Sequence, residues 1–331
     1  MRILILVNSV QELDENHALI SSEFFQRGHQ VFFGLINTIS SHHFRVSCDA
    51  VEVRRPYAFQ ATVEGPIVKV EMSMFQLVWQ MNQPHPRIAR DVWQLLWMFS
   101  QDTPFVNSVV GMVFLNNKNT LASVVPPEHL PTTTISNSFC ELWSIYDKAR
   151  NDTWIAKPTN EGCGIDVYLL KPEDTNIRTI LQSITGNTGA QEEIAQSNFL
   201  GLQNQYGILQ AYIPEVKQGE KRIIVAGGKI VAHHGRQIAA NDHRSNITQG
   251  GLLEQADLTP QEQMLCQHVA QRLSSFGIYF AGIDLAYPFI LEVNIVNPGG
   301  LYDALQVTGV NNTPIAVEAI LEKLNINQVI Q

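Results

Sequence analysis

The sequence predicts an α/β protein of two or three packed subdomains that begins with an open α/β domain. Three observations carry this. A chain of 331 residues exceeds what one compact core usually organises. A strand, a helix and a strand follow one another between Ile3 and Leu35, which is a βαβ unit. The strand pattern then restarts beyond a proline-bearing linker, Pro126-Pro127 to Pro131.

The charge-free run Ile3–Val7 is a buried strand. Leu19, Ile20, Phe24 and Phe25 recur at helical spacing, and Gly28 sits where such a helix would stop. Val31–Leu35 is the second strand. A third is expected at Phe75–Trp79, followed by an aromatic helix around Trp93, Leu96, Trp97 and Phe99. Past the linker, Trp154–Lys157 and Val167–Leu170 are strands flanking a short glycine loop. Thr259-Pro260-Gln261-Glu262 is a capping box with proline at the first helical position. The stripe Leu265, Val269, Leu273 and Phe276 extends that helix to Gly277. Two strands, Tyr279–Asp284 and Phe289–Asn294, turn at Tyr287-Pro288, and Asn297-Pro298-Gly299-Gly300 leads into a helix from Leu301. These signals divide the chain at 1–125, 126–207 and 208–331.

Composition narrows the function classes. Hydrophobic residues at 45% and charged residues at 16% describe a globular chain. Lys plus Arg is 22 against 31 Asp plus Glu, a net charge of −9 that repels phosphate backbones and argues against nucleic acid as partner. The longest apolar stretches, such as Val109–Leu115, fall well short of the ~20 residues of a membrane span. Cys48, Cys140, Cys163 and Cys266 lie far apart with no CxxC pair, which suits reduced thiols in a cytoplasmic protein. No GxGxxG follows the first strand, so no dinucleotide site is expected there.

Three constellations carry chemistry. Glu292 and Asn294 are two apart on a strand and share a face, and an antiparallel partner would bring Asp284 to that face. Two carboxylates and an amide oxygen are hard ligands suited to Mg²⁺; the same residues also suit solvated strand ends, whose removal would leave the fold intact. Lys157-Pro158-Thr159-Asn160-Glu161-Gly162-Cys163-Gly164 places a lysine before glycines that let backbone N–H groups approach phosphate. In isolation, an ordinary hairpin loop with a surface lysine is the better reading of that segment. Gln210-Ala211-Tyr212-Ile213 offers backbone groups to an adenine edge, and Arg222, Arg236 and Arg244 form a candidate anion site within an acidic chain. Each arginine taken singly is compatible with an ordinary surface position. The pairs His42-His43 and His233-His234 point to opposite faces of a strand and are expected at the surface or in turns; His17 is a candidate substrate contact.

In order, Lys118, Lys157 with Gly162 and Gly164, Gln210-Ala211-Tyr212-Ile213-Pro214, Gly219-Glu220-Lys221-Arg222, Arg236, Arg244 with Asn246, Gly250-Gly251, Asp284 and Glu292-Val293-Asn294 resemble the ATP-grasp ligases, most closely bacterial glutathione synthetases. The resemblance is close from Lys157 to Asp303 and looser before it. It implies an ATP-grasp fold: an N-terminal open α/β domain, a lid carrying the glycine loop, and a C-terminal metal-binding domain. It also implies ATP between two antiparallel sheets, with Lys118, Lys157, Gly162 and Gly164 at its phosphates and Gln210, Ala211, Tyr212 and Ile213 along its adenine. Asp284, Glu292 and Asn294 would hold two Mg²⁺, or Mn²⁺. Arg222, Arg236, Arg244 and Asn246 would act on the reacting groups, and His17, Gly250, Gly251, Pro298, Gly299 and Gly300 would face the substrates. The implied reaction turns a carboxylate into an acyl phosphate that an amine attacks, with γ-glutamylcysteine plus glycine as the leading pair. Another amino-acid or peptide pair, or a non-catalytic nucleotide-binding scaffold, are the alternatives. The expected partners are small amino-acid or γ-glutamyl substrates, and a homo-oligomer is compatible with the family. The sequence departs from the family at Gln80-Met81-Asn82-Gln83-Pro84-His85-Pro86, where two cations and an Asp-Pro-Pro are usual, and at Leu252, where a basic residue is usual.

Overall fold

The structure, a computed structural model, describes residues 1–160, 164–186, 205–238 and 250–326. It opens with β1 (Arg2–Val7), α1 (Glu15–Gln26) and β2 (Gln30–Leu35). β3 (Ser40–His42), β4 (Arg45–Val53), β5 (Val68–Glu71) and β6 (Leu77–Gln80) follow, then α2 (Ala89–Phe99), β7 (Phe105–Val106) and α3 (Val109–Leu115). The sheet order is β3-β4-β2-β1-β6-β7, with β5 also on β4. β2, β1, β6 and β7 run parallel, as a βαβ start requires. The strand expected at Phe75–Trp79 begins later. Met72–Met74 forms a 3₁₀ turn, and Phe75 closes it with its ring buried edge-on against Phe32.

Past the linker, β8 (Thr133–Ser136), α4 (Phe139–Lys148), β9 (Trp154–Pro158), β10 (Tyr168–Leu170), α5 (Ile177–Thr185) and β11 (Gly207–Ala211) build a second sheet, ordered β10-β9-β11-β8 and antiparallel throughout. β11 starts at the division expected at residue 207 and is an inner strand of this sheet. α4 and α5 cover it with a core of their own, in which Leu142, Trp154, Leu181 and Leu209 are buried.

β12 (Glu220–Ala226), β13 (Lys229–Gln237) and β14 (Leu252–Glu254) precede α6 (Pro260–Ser275). β15 (Phe280–Ala286), β16 (Phe289–Asn294), α7 (Leu301–Thr308) and α8 (Thr313–Lys323) complete the described chain. The third sheet is antiparallel, β14-β13-β12-β15-β16. The Thr259 capping box forms as the sequence indicates. This sheet shares cores with the first: Ile283 and Leu273 cluster with Leu4 and Val78, and Phe280 and Ile320 with Ile5 and Trp79. Asn107 links the two. It is buried, its Nδ2 donates to Phe280 O (2.7 Å) and Ile295 O (2.6 Å), and its Oδ1 accepts from Tyr279 N (2.6 Å) and Phe280 N (2.8 Å). Among the described residues, no helix is long and apolar enough to cross a membrane.

Candidate active site

The register of β15 on β16 places Asp284 directly opposite Glu292 and Gly282 opposite Asn294. Side chains alternate along a strand, so Glu292 and Asn294 share a face, and Asp284 joins them across the ladder. Asn294 Nδ2 donates to Asp284 Oδ2 at 3.1 Å. Asp284 does not end its strand as the sequence suggested. β15 continues to Ala286, and the ladder is bulged just after Asp284. Nor is Asp284 a surface residue. It is 5% exposed, because neighbouring strands and two arginines enclose it.

β12 runs antiparallel on the other side of β15 and sets Arg222 opposite Asp284. Arg222 Nη2 donates to Asp284 Oδ2 at 3.1 Å, and Nε lies 2.6 Å from Oδ1 in an ionic contact without hydrogen-bond alignment. Its Nη1 donates to Pro298 O. Glycine is required where this side chain crosses: a Cβ at Gly282 would stand 2.7 Å from Arg222 Nη1, and at Gly300, whose φ is +85°, 3.1 Å from Arg222 Cγ. Arg236, on β13, lies 3.6 Å from both Glu220 and Asp284 and 4.0 Å from Asp303. Lys118, in the 3₁₀ turn Lys118–Ser123, pairs its Nζ with Glu292 Oε1 at 3.1 Å.

Lys157 reaches the same region from β9. Its buried Nζ donates to Gln210 Oε1 at 3.1 Å, and Gln210 Nε2 donates to Thr133 Oγ1 at 2.9 Å. Burial pushes the Lys157 ammonium down to about 8, Lys118 adds to this, and Glu292 and Glu220 oppose it. The second sheet thus presents Lys157 towards Glu292 and Glu220 of the third. At the end of β11, the N–H groups of Ala211 and Tyr212 already bond Thr132 O (2.8 Å) and Thr153 O (3.0 Å). A cavity of about 280 Å³ adjoins the cluster, with Asn82, Lys118, Asn160, Glu292, Asn294 and Asn297 among its lining.

The donor set fits a hard divalent cation. Asp284 and Glu292 supply carboxylate oxygens, Asn294 an amide oxygen, and Asp284 Oδ1 is buried without a hydrogen bond. Among the described residues no three His, Cys, Asp or Glu side chains converge in a metal-binding group.

Other expected site residues divide. His17 is buried, and its Nδ1 accepts the Asp14 N–H (3.3 Å) in the N-terminal capping box of α1. Burial lowers its pKa. Pro298 carries the carbonyl that Arg222 grips, Gly299 has open space around it, and Gly251 is buried beside an exposed Gly250. Gly162, Arg244 and Asn246 lie outside the described residues. His234, expected at the surface, is 0% exposed, because β13 is covered there and α7 brings Asp303 to 3.5 Å from its Nε2. The sequence pattern also passed over Glu15, Glu220 and Asp303 individually; Glu220 meets Arg236 only through the β12–β13 register, and Glu15 and Asp303 are brought near one another by helices far apart in the chain.

The model of the prokaryotic glutathione synthetase ATP-grasp domain matches residues 119–309. The chain is 25% identical to a glutathione synthetase of Synechococcus elongatus, across 98% of this chain and 100% of that protein. It is 32% identical to one of Agrobacterium fabrum over 44% of this chain and 48% of that protein. Among solved structures, D-cycloserine synthetase DcsG aligns with a TM-score of 0.62 at 14% identity, covering 98% of this chain and all of that one. A RimK domain ATP-grasp protein from Sphaerobacter thermophilus aligns at 0.61 and 14%, covering 97% and 100%. At such identities these structures speak to the fold, which is ATP-grasp. With the family match spanning more than half its length, the chain belongs to the prokaryotic glutathione synthetase ATP-grasp family and is an ATP-dependent carbon–nitrogen ligase.

Proposed function

We propose that this ligase phosphorylates a substrate carboxylate with ATP and passes the acyl group to an amine, releasing ADP and phosphate, and that its leading reaction joins γ-glutamylcysteine to glycine. The observation that carries this reading is the antiparallel register gathering Asp284, Glu292 and Asn294 beside Lys118, between two antiparallel sheets. Asp284, Glu292 and Asn294 would hold two Mg²⁺. Bound there, the ions would neutralise charge on the triphosphate, and Mn²⁺ shares the oxygen preference.

The chain's own groups have separate tasks. Lys118 and Lys157, with the glycine loop of Gly162 and Gly164, hold the phosphates. Gln210, Ala211, Tyr212 and Ile213 line the adenine, the edge contact falling to Ile213 because the two preceding N–H groups are engaged. Arg222 and Arg236, with Arg244 and Asn246, meet the charge that builds on the transferring phosphoryl group and the acyl oxygen. Gly250, Gly251, Pro298, Gly299 and Gly300 shape the substrate side, and His17 orders α1 behind it.

One observation favours a second reading. Asn82 and Gln83, from the segment where the family carries cations, reach the cavity as neutral amides. A less acidic carboxylate–amine pair would suit that lining. ADP release from Mg·ATP decides between them. γ-Glutamylcysteine plus glycine should release ADP only when both are present. ADP from non-thiol pairs alone would favour the second reading, and no substrate-dependent ADP would overturn the ligase assignment.

A further inference from the structure

We propose that Glu15 and Asp303 form an anionic subsite that recognises the ammonium group of an amino-acid-type substrate, a reading that rests on the ligase function proposed above. Glu15 opens α1, Asp303 lies in the first turn of α7, and the two helices pack against one another. Burial, then Asp303 and Asp14, push the Glu15 carboxyl up from 4.5 to about 7, with Arg236 only partly opposing. Arg236 is the cation nearest to hand, and it is shared. At 3.6 Å from Glu220, 3.6 Å from Asp284 and 4.0 Å from Asp303, one guanidinium serves three carboxylates. Asp284 also has Arg222, but the charges that act on Glu15 are Asp303 and Asp14 against Arg236, so among the described residues carboxylates outnumber cations at the α1–α7 contact.

His234 supplies an independent observation. It is 0% exposed, and its Nε2 is aimed at Asp303 Oδ2 across 3.5 Å without making a hydrogen bond. Its Nδ1 lies 3.2 Å from Gly235 O. Burial and Arg236 hold the ring neutral, down to about 4. A neutral imidazole carries one N–H, so with an acceptor at each nitrogen one contact must stay unsatisfied. Asn16, fully buried next to Glu15, likewise leaves its Oδ1 without a partner while its Nδ2 donates to Asn297 Oδ1 at 2.8 Å. The group offers acceptors in excess of donors. An ammonium carries three donors and one positive charge, and it answers both deficits at once. Because Arg236 ties Asp303 to Asp284, an ammonium held there would lie on the substrate side of the carboxylate and amide cluster.

The test is isothermal titration calorimetry on the full chain with Mg·ADP, using two probes. One is γ-glutamylcysteine; the other is glutarylcysteine, the same molecule with hydrogen in place of the ammonium. A charge-assisted contact predicts that the native protein binds the first roughly 10- to 100-fold more tightly. Glu15→Gln should bring that ratio below about threefold, and Glu15→Asp should restore part of it. Equal affinity for both probes in the native protein, no binding of either, or an equal weakening of both by Glu15→Gln would each overturn the subsite. So would a Glu15→Gln protein altered only in its Mg²⁺ titration, which would make the group a metal site. ADP release is scored separately. Its absence with every carboxylate–amine pair would reject the ligase function while the calorimetric ratio still judged the subsite.

Discussion

Asp284→Ala and Glu292→Ala should both lower turnover by two orders of magnitude or more, yet differ sharply in what they do to the fold. Asp284 is enclosed with Arg222, both side chains being 7% exposed, and Arg236 stands 3.6 Å away. Removing the carboxylate leaves the buried Arg222 guanidinium with only the Pro298 carbonyl among the described residues, while Arg236 keeps Glu220 and Asp303; breaking a buried pair in this way costs about 3–5 kcal/mol. Glu292 has a side chain 30% exposed and pairs with Lys118 at 3.1 Å. Water can replace that partner, so its loss should cost at most about 1 kcal/mol. Urea unfolding of both variants in metal-free buffer measures the difference, read as a shift of the midpoint at constant slope. A matched pair of small losses would show that the arginines find water or another acceptor, and the picture of a sealed carboxylate would be wrong. Removing Arg222 as well, as in Arg222→Met with Asp284→Leu, should recover much of the stability but none of the activity. The sequence alone suggested that both ligands could be removed without harm to the fold; the burial of Asp284 reverses that for one of them.

Three further outcomes can be measured. Asn107→Ala removes four hydrogen bonds, three of them buried, between the first and third sheets and should cost roughly 3–5 kcal/mol in urea unfolding, whereas an exposed asparagine would cost little. Lys157 releases its proton near 8 when folded but near 10.5 when unfolded, so the unfolded chain binds more protons in that window and stability should rise from pH 8 to 10.5; Lys157→Met should flatten the rise, and nucleotide affinity should fall over the same range in the native protein. His234 resists protonation to about 4 against 6.5 unfolded, so its contribution to stability is complete above pH 6.5 and is lost as the pH falls to 4. A thermal-melt series should show that part of the acid loss vanish in His234→Leu.

Much of the fold was legible in local pattern. The charge-free first strand, the stripe of α1 and the capping box at Thr259 each belong to one continuous segment whose periodicity reports its own burial. The hairpin β3–β4 was not legible. His43 and Phe44 turn it with left-handed φ of 47° and 61°, where glycine, asparagine or aspartate would have been the usual signal. In the candidate site, the alternation of Glu292 and Asn294 was readable from a spacing of two. That Asp284 stands opposite Glu292 required the register of two strands, which a turn and a bulge set.

By itself the sequence determined the elements, their order and the residue types able to grip phosphate and magnesium, because those properties are local to a strand, a helix or a loop. Tertiary structure alone decided that Asp284 is sealed between Arg222 and Arg236, that Lys118 faces Glu292, and that His234 meets Asp303 inside the protein rather than water. Burial and charge pairing are properties of neighbours in space, and here those neighbours come from strands and helices far apart along the chain.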